Sequence, residues 1–365
     1  MELYIARGCQ EHGRNSFLII GKPYSILVHC GISEGDNQPY PYLSQQHISK
    51  IKYLFLTHSH KDHCGGIEWL IRKGFSGKII SSEESRQQSG ITYQNWKRLY
   101  FDNCCPGKVK IDASLSVTYG RSGHCTGGLW YLLQFEDKRI LFSGDYSEKS
   151  NLYKCDKLKN INANIAVLDC GDGNSKADTH GLKEILCNKL KNCIKEKRTV
   201  LLPVPKYGRG LELVCMLEAI EESIHIYVDS MLYQQIKVSD EHWHTHQIQR
   251  QIRHMSHWCR EPAIIVVSDA QLSSVRNQRF ADKCIELGGH IVFTGHIYKN
   301  TYADFLFNNG NAQLFQYPVH MNYHQARTVC SDNQFEKVVL FHSANIISDK
   351  SQLTECVSVK DTLEI

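Results

Sequence analysis

Residues 58–63 read His-Ser-His-Lys-Asp-His, and this stretch restricts the fold of the chain more than any other. Three imidazoles and a carboxylate are the donor types divalent zinc prefers, and their spacing suits two ions rather than one. The flanks set the local fold. Residues 53–56 are an apolar run that reads as a strand, and in extended chain His58 and His60 face the same way. Gly65 and Gly66 open a helix expected over residues 67–73, which Gly74 stops. Asp62 and His63 thereby fall at a helix start, facing a second position beside the first. The chain carries 19 histidines, so an accidental cluster in a polar loop is the alternative. The strand–turn–helix context argues against it.

Other apolar runs are short and rich in Val, Ile, Leu and Phe, at 25–28, 139–142, 165–168, 199–202, 263–267, 290–293 and 337–341. Helix-like stretches at 181–196 and 208–222 lie between them, so the fold class is α/β. The residues at the ends of these strands carry chemistry. Asp145 comes after 139–142, Asp169 after 165–168 and His342 after 337–341, while His124 sits in the loop Ser-Gly-His-Cys-Thr-Gly-Gly. Strand ends are where α/β folds gather ligands, because loops converge there on a rigid sheet. Any one of these residues alone would be read as a cap or a satisfied histidine. Together with His58 they point to one metal-binding constellation.

In chain order, His58, His60, Asp62, His63, His124 and Asp145 resemble the metal motifs of the metallo-β-lactamase superfamily. Residues 203–213, Pro-Val-Pro-Lys-Tyr-Gly-Arg-Gly-Leu-Glu-Leu, resemble the segment that marks the β-CASP nucleases within it. Looser matches are Ser-Asp-Ala-Gln-Leu at 268–272, Thr-Gly-His-Ile-Tyr-Lys-Asn-Thr at 294–301, Val-His-Met-Asn-Tyr at 319–323 and Leu-Phe-His-Ser at 340–343. Cys-Gln-Glu-His-Gly-Arg-Asn-Ser at 9–16 resembles the family's opening strand-turn.

The resemblance implies an αβ/βα sandwich built from residues 1–173 and 318–365, with a β-CASP α/β domain, 174–317, inserted and the active site in the cleft between them. It implies two zinc ions per chain. One would lie on His58, His60, His124 and Asp145, the other on Asp62, His63, Asp145 and His342, with Asp145 bridging. Asp62 counts with the catalytic residues as well. His320 matches the histidine regarded as the general acid, oriented by Asp169. His342 matches a motif that is His in RNA-cutting members and commonly Val in the DNA-cutting branch resembling Artemis. Single-stranded RNA is therefore the expected substrate and DNA the alternative, with 5′-phosphate and 3′-hydroxyl products from endonucleolytic or 5′-exonucleolytic cutting. Lys206, Arg209 and Thr301 are candidate phosphate contacts, and a turn pairing Arg209 with Glu212 is the other reading of that segment.

The physics beside this stands apart from the resemblance. A pair of divalent cations clamps a phosphodiester, offsets charge developing on its non-bridging oxygens and supplies a nucleophile near neutral pH. A histidine titrating near neutrality suits protonation of the leaving 3′-oxygen. Three positions depart from the family pattern. His29 replaces an Asp that braces the metal loop, Asn322 replaces a carboxylate near His320, and Asn300 replaces a glycine that permits close phosphate approach.

Composition closes off other classes. The chain has 365 residues, 22% charged and 42% hydrophobic, as in an ordinary globular protein. A net charge of +4 permits a polyanionic substrate without demanding one. The 15 cysteines are scattered without a Cys-x-x-Cys pair, so reduced thiols and a cytoplasmic location are expected. The start lacks a signal-peptide pattern, and no apolar run approaches membrane-spanning length. His242, His244, His246, His254 and His257 surround Trp243 and Trp258. They are expected on a solvated helix, and a metal-binding or RNA-stacking role is the alternative. A protein partner that selects substrate is expected, and a homodimer is allowed. A catalytically silent RNA-binding subunit is the non-enzymatic reading, and the full ligand set counts against it.

Overall fold

Alternate side chains of the strand Ser16–Ile20 divide between two apolar layers. Phe17 meets Phe142 and Phe341, with ring centroids 6.0 and 5.5 Å apart. Leu18 joins Ile48, Ile67 and Leu70 beneath the helices Gln45–Lys50 and Ile67–Arg72. One face of this sheet therefore packs on a second sheet and the other on helices. In this computed structural model the described residues are all but 34–35, 102–105, 176–178, 222, 239, 250, 260 and 345–356.

The first sheet has seven strands in the order Thr362–Glu364, Glu2–Arg7, Ser16–Ile20, Ser25–Val28, Ile51–Phe55, Lys78–Ser82, Trp96–Leu99. The first four pair antiparallel and the rest parallel. The second sheet has six strands in the order Gln334–Phe341, Asn162–Asp169, Lys138–Phe142, Leu129–Phe135, Leu115–Arg121, Gly107–Lys110. Its outer face packs Leu132, Leu141 and Leu168 on Tyr323, Ala326 and Val329 of the helix Tyr323–Ser331. Helix, sheet, sheet and helix make an αβ/βα sandwich.

A third sheet is all parallel, in the order Arg253–His254, Ile226–Val228, Ile264–Val267, Val200–Pro203, His290–Phe293, Gln313–Leu314. Its central strands are buried throughout, as continuous apolar runs such as Val-Leu-Leu-Pro and Ile-Ile-Val-Val require when helices cover both faces. The chain divides into one unit of Met1–Glu148, Lys154–Lys176 and Val319–Ile365, and an inserted unit of Lys149–Tyr153 and Ala177–Pro318. Buried Glu212 holds the short segment in the inserted unit. Its carboxylate accepts from Ser150 Oγ at 2.6 Å, Asn151 N at 2.7 Å and Asn151 Nδ2 at 2.6 Å. No helix among the described residues is long and apolar enough to cross a membrane.

Three local expectations change. Asp62 and His63 lie on a helix of their own, Lys61–Cys64, and Gly66 caps the next one, Ile67–Arg72. The helix anticipated over 208–222 runs Arg209–Met216, tightens into the 3-10 turn Leu217–Ala219 and ends where Ile220 turns extended. The histidine-rich stretch is not helical. Asp240 instead draws the chain into a turn, its side chain accepting from His242 N at 2.8 Å and its carbonyl from His244 N at 2.9 Å. That turn buries Trp243 and pairs His244 with Tyr153 in an isolated bridge.

Candidate metal centre

The segment that carries His58, His60, Asp62 and His63 is held from behind by the N-terminal strands. Asn15 N donates to Asp62 O at 2.8 Å, Cys30 N to His63 O at 2.8 Å and Ile32 N to Lys61 O at 3.0 Å. A methyl group at Gly31 would fall 1.7 Å from the Asp62 carbonyl oxygen, so only glycine lets the two segments approach this closely. The opening strand-turn and the Cys30-Gly31 pair thus serve the short helix Lys61–Cys64.

The remaining residues arrive from the second sheet. Asp145 follows Lys138–Phe142 across Gly144, which sits at φ +57°. Asp169 ends Asn162–Asp169, and His342, at φ +76°, follows Gln334–Phe341, its N–H donating to Gly8 O at 2.9 Å. In the tautomer where His124 Nδ1 donates to Val319 O at 3.0 Å, Nε2 keeps its lone pair, 3.3 Å from His60 Nδ1.

Three overlapping donor groups result. His58, His60, His124 and Asp145 bring one ligand atom each to a common point, Asp145, Asp169, His320 and His342 to a second, and Asp62, His63 and His342 to a third. The carboxylate of Asp145 belongs to the first two and also approaches His63 of the third. Its Oδ2 lies 3.4 Å from His58 Nε2 and 3.4 Å from His124 Nε2, whereas its Oδ1 lies 3.1 Å from His63 Nε2 and 3.3 Å from His342 Nδ1. Asp62 Oδ2 stands 3.0 Å from His342 Nε2 and 3.5 Å from His63 Nε2. All seven side chains anticipated as ligands converge.

The site fits cations. Asp145 is 1% exposed, yet neither of its oxygens accepts a hydrogen bond, and both ring nitrogens of buried His342 are likewise without one. A buried carboxylate left this way is costly unless a positive charge stands beside it. Burial pushes His60 down to about 3 and lowers His58 and His124, the neutral form a ligand must take. Burial opposes charge on His63 too, but the carboxylates of Asp145 and Asp62 outweigh it and raise it to about 9. His342 is raised in the same way, chiefly by Asp145 against the effect of burial. The protein itself thus calls for positive charge between these carboxylates.

His320 and Asp169 meet next to the centre. Asp169 Oδ2 is 3.2 Å from His320 Nδ1 and also accepts from Tyr146 N and Met321 N at 3.0 and 3.1 Å. Burial lowers the His320 pKa, yet the Asp169 and Asp145 carboxylates more than offset this and hold it above the ordinary value. A Cβ at Gly171 would come 2.7 Å from the His320 ring, so that glycine shapes the slot.

Several positioning residues were not legible in sequence. Buried His29, at φ +65°, brings Nε2 to 2.8 Å from Thr57 Oγ1, and that hydroxyl lies 3.0 Å from His58 Nδ1. The brace lost with the family's Asp is thus rebuilt through Thr57. Asn15 Nδ2 lies 2.9 Å from His63 Nε2, and Asp172 Oδ2 accepts from His320 N at 3.3 Å. Asn322 caps the helix Tyr323–Ser331 in a box with Gln325.

The candidate phosphate contacts fare differently. Thr301 spends its hydroxyl on structure: it caps the helix Tyr302–Asn308, donates to Tyr298 O at 2.7 Å and lies 3.2 Å from Gln271 Oε1. Arg209 lays its guanidinium against Gly295, where a Cβ would stand 1.7 Å from Nη1, and Glu212, the other partner foreseen for Arg209, turns to residues 150–152. Lys206 Nζ lies 5.4 Å from the centre of the Tyr207 ring.

A sandwich of this kind, with an Asp carboxylate set among buried histidines, defines a class of αβ/βα proteins with a candidate metal centre. Residues 10–203 match the sequence profile of the Metallo-beta-lactamase superfamily, and the chain belongs to that superfamily, with the β-CASP nucleases as its nearer relatives. The "Transcription termination factor FttA" of Methanosarcina mazei is 22% identical over 271 residues, covering 64% of this chain and 42% of that protein. The "Probable RNase MJ4" of Methanocaldococcus jannaschii is 23% identical over 264 residues, covering 65% of this chain and 61% of its own length. The chain thus spans about two fifths to three fifths of these relatives. The crystal structure of a protein of unknown function from Enterococcus faecalis V583 shares the fold, with a TM-score of 0.63 over 99% of both chains at 10% identity. Membership of the superfamily implies a divalent metal at the His/Asp clusters.

Proposed function

We propose that the chain is a zinc-dependent ribonuclease that hydrolyses phosphodiesters of single-stranded RNA. The observation that carries this reading is the division of Asp145 between two sets of histidines. His58, His60, His124 and Asp145 would hold one zinc, and Asp62, His63, Asp145 and His342 the second. Bound there, the pair supplies a nucleophile near neutral pH and offsets charge on the non-bridging oxygens. Asp169 keeps a proton on His320 Nδ1 and fixes the ring, so that His320 can deliver a proton to the departing 3′-oxygen. Products would carry a 5′-phosphate and a 3′-hydroxyl.

RNA is favoured over DNA by the names of the relatives, an RNase among them, and by a histidine at position 342. The inserted unit would be the β-CASP domain, and Lys206, Arg209 and Thr301 its candidate phosphate contacts. The described cysteines are all free thiols, which supports a cytoplasmic setting. Substrate selection by a protein partner and self-association belong to the same proposal.

The test uses end-labelled single-stranded RNA and the matching DNA, offered to zinc-loaded protein. Expected is RNA cleavage that is lost in His60→Ala and lost in His320→Ala, the latter with its zinc content unchanged. Equal cutting of both nucleic acids moves the reading to a general nuclease. Background-level cutting of both by the zinc-loaded wild type removes the enzymatic reading in favour of an RNA-binding subunit.

A further inference from the structure

Apart from the buried centre, the inserted unit brings a cysteine, a glutamate and a histidine together from segments about thirty residues apart in sequence. Cys215 ends the helix Arg209–Met216, and Glu218 lies on the 3-10 turn that continues it, at the i, i+3 spacing that puts both side chains on one side. His246 belongs to the turn region that follows Asp240.

We propose that Cys215, Glu218 and His246 form a separate site for a borderline-soft divalent cation, zinc before others. Their donor atoms lie within 4.8 Å of one another. His246 Nε2 is 3.4 Å from Cys215 Sγ and 3.3 Å from Glu218 Oε2. Zinc–ligand bonds of about 2.3 Å to sulfur and roughly 2.0–2.2 Å to nitrogen and oxygen, set at tetrahedral angles, place N and O about 3.3–3.5 Å apart and N and S about 3.5–3.6 Å apart. The two His246 edges agree with these to within about 0.2 Å.

The surroundings hold two of the ligands, His246 and Glu218, from their far sides, as ligands of a metal are usually held. Thr245 Oγ1 donates to Leu152 O at 3.1 Å and so can accept from His246 Nδ1 at 3.0 Å, the tautomer that leaves the lone pair on Nε2. Gln249 N donates to Glu218 Oε1 at 2.7 Å, leaving Oε2 to face the cluster. The thiol is buried and its pKa is pushed up to about 12, first by burial and then by Glu212 and Glu218. A bound cation replaces that thiol proton, and the proton leaves to solvent.

The alternative chemistry for these residue types, a cysteine nucleophile activated by histidine, does not fit. There the acid sits on the ring nitrogen opposite the nucleophile, whereas here sulfur and carboxylate both face Nε2. Bound metal would fasten the His246 region to the end of the helix Arg209–Met216. Because His246 is 46% exposed, the fourth position opens to water.

The experiment counts zinc per chain by elemental analysis in the wild type, Cys215→Ser and His246→Ala after dialysis against zinc. His246 is surface-exposed, so its variant keeps the fold, and a matching far-ultraviolet spectrum checks this. Expected is one zinc equivalent less in each variant than in the wild type. Cobalt loading should give a thiolate-to-metal charge-transfer band that vanishes in Cys215→Ser, since the buried His/Asp centre offers no thiolate. Equal zinc in all three proteins, or a cobalt band that survives Cys215→Ser, overturns the site and leaves a thiol and an imidazole hydrogen-bonded to Glu218. His60→Ala, which touches only the buried centre, separates failure here from failure there.

Discussion

Among single residues, the relay from His29 through Thr57 to His58 accounts for a substitution that looked like a loss. An imidazole longer than the Asp it replaces reaches the Thr57 hydroxyl at 2.8 Å, and that hydroxyl fixes the His58 ring from its far nitrogen. Burial holds His29 neutral, so it braces through a hydrogen bond rather than through charge. Partners of this kind commonly contribute a factor of about 10–100 to metal affinity. Thr57→Val should therefore weaken zinc binding by that order in a chelator competition, and Thr57→Ser should restore it. Equal affinity of all three proteins would remove the relay from the account. Asp145→Asn should be more severe, because it takes the shared negative charge from the buried centre, and the zinc held there should be lost while any zinc at Cys215, Glu218 and His246 stays.

At the level of elements, the edge hairpin of the second sheet is tied to the first sheet by one carboxylate. Asp112 lies between Gly107–Lys110 and Leu115–Arg121 and accepts from Ser114 N at 2.9 Å, Leu115 N at 3.0 Å, Tyr24 and Tyr53 hydroxyls at 2.9 Å and Lys52 Nζ at 2.8 Å. Burial pushes its pKa up, but these donors, Lys52 first, outweigh that and hold it below the usual carboxylate range. Asp112→Ala should cost roughly 1–2 kcal/mol in a denaturant titration, at the low end because the carboxylate keeps solvent contact. The sign with pH comes from a depressed folded-state pKa. The contribution is complete above the unfolded pKa of about 3.9 and disappears as pH falls through the folded value. The gap between wild type and variant should thus close in acid, and a gap that is constant from neutral pH into acid would contradict the mechanism. In the inserted unit, Glu212→Leu would strand the donors of Ser150, Asn151 and Leu152, and a loss of about 3 kcal/mol is expected from the same measurement.

For the whole molecule, the buried centre couples metal to folding. Carboxylates and imidazoles packed without solvent repel or stand unpaired until a cation joins them, so the metal stabilises the native state more than the unfolded chain. With free zinc at 100 times its dissociation constant, linkage gives about 2.7 kcal/mol. That corresponds to several degrees in unfolding midpoint for a unit of this size. Chelation should lower the midpoint by that amount and added zinc should recover it. A midpoint indifferent to zinc would show that the donor groups do not hold it.

How much was legible in the sequence depends on range. Residues 58–63 announced the centre because strand, turn and helix lie within a dozen positions and each has its own local signal. The buried strands, Ser25–Val28, Ile264–Val267 and His290–Phe293 among them, were readable as apolar runs for the same reason. Apolar runs alternating with helix-like stretches pointed to the α/β class, and residues 58–63 together with those at strand ends to the candidate donors. Tertiary structure alone decided which oxygen of Asp145 faces which histidines, since that depends on two sheets packing face to face. It alone committed Thr301 to a cap, gave His29 a partner in Thr57 and turned the histidine stretch from helix to turn. It alone set His246 beside Cys215 and Glu218. Spacing along a chain specifies neighbours only within a few residues, whereas contacts across long separations are chosen by burial, which no short window of sequence contains.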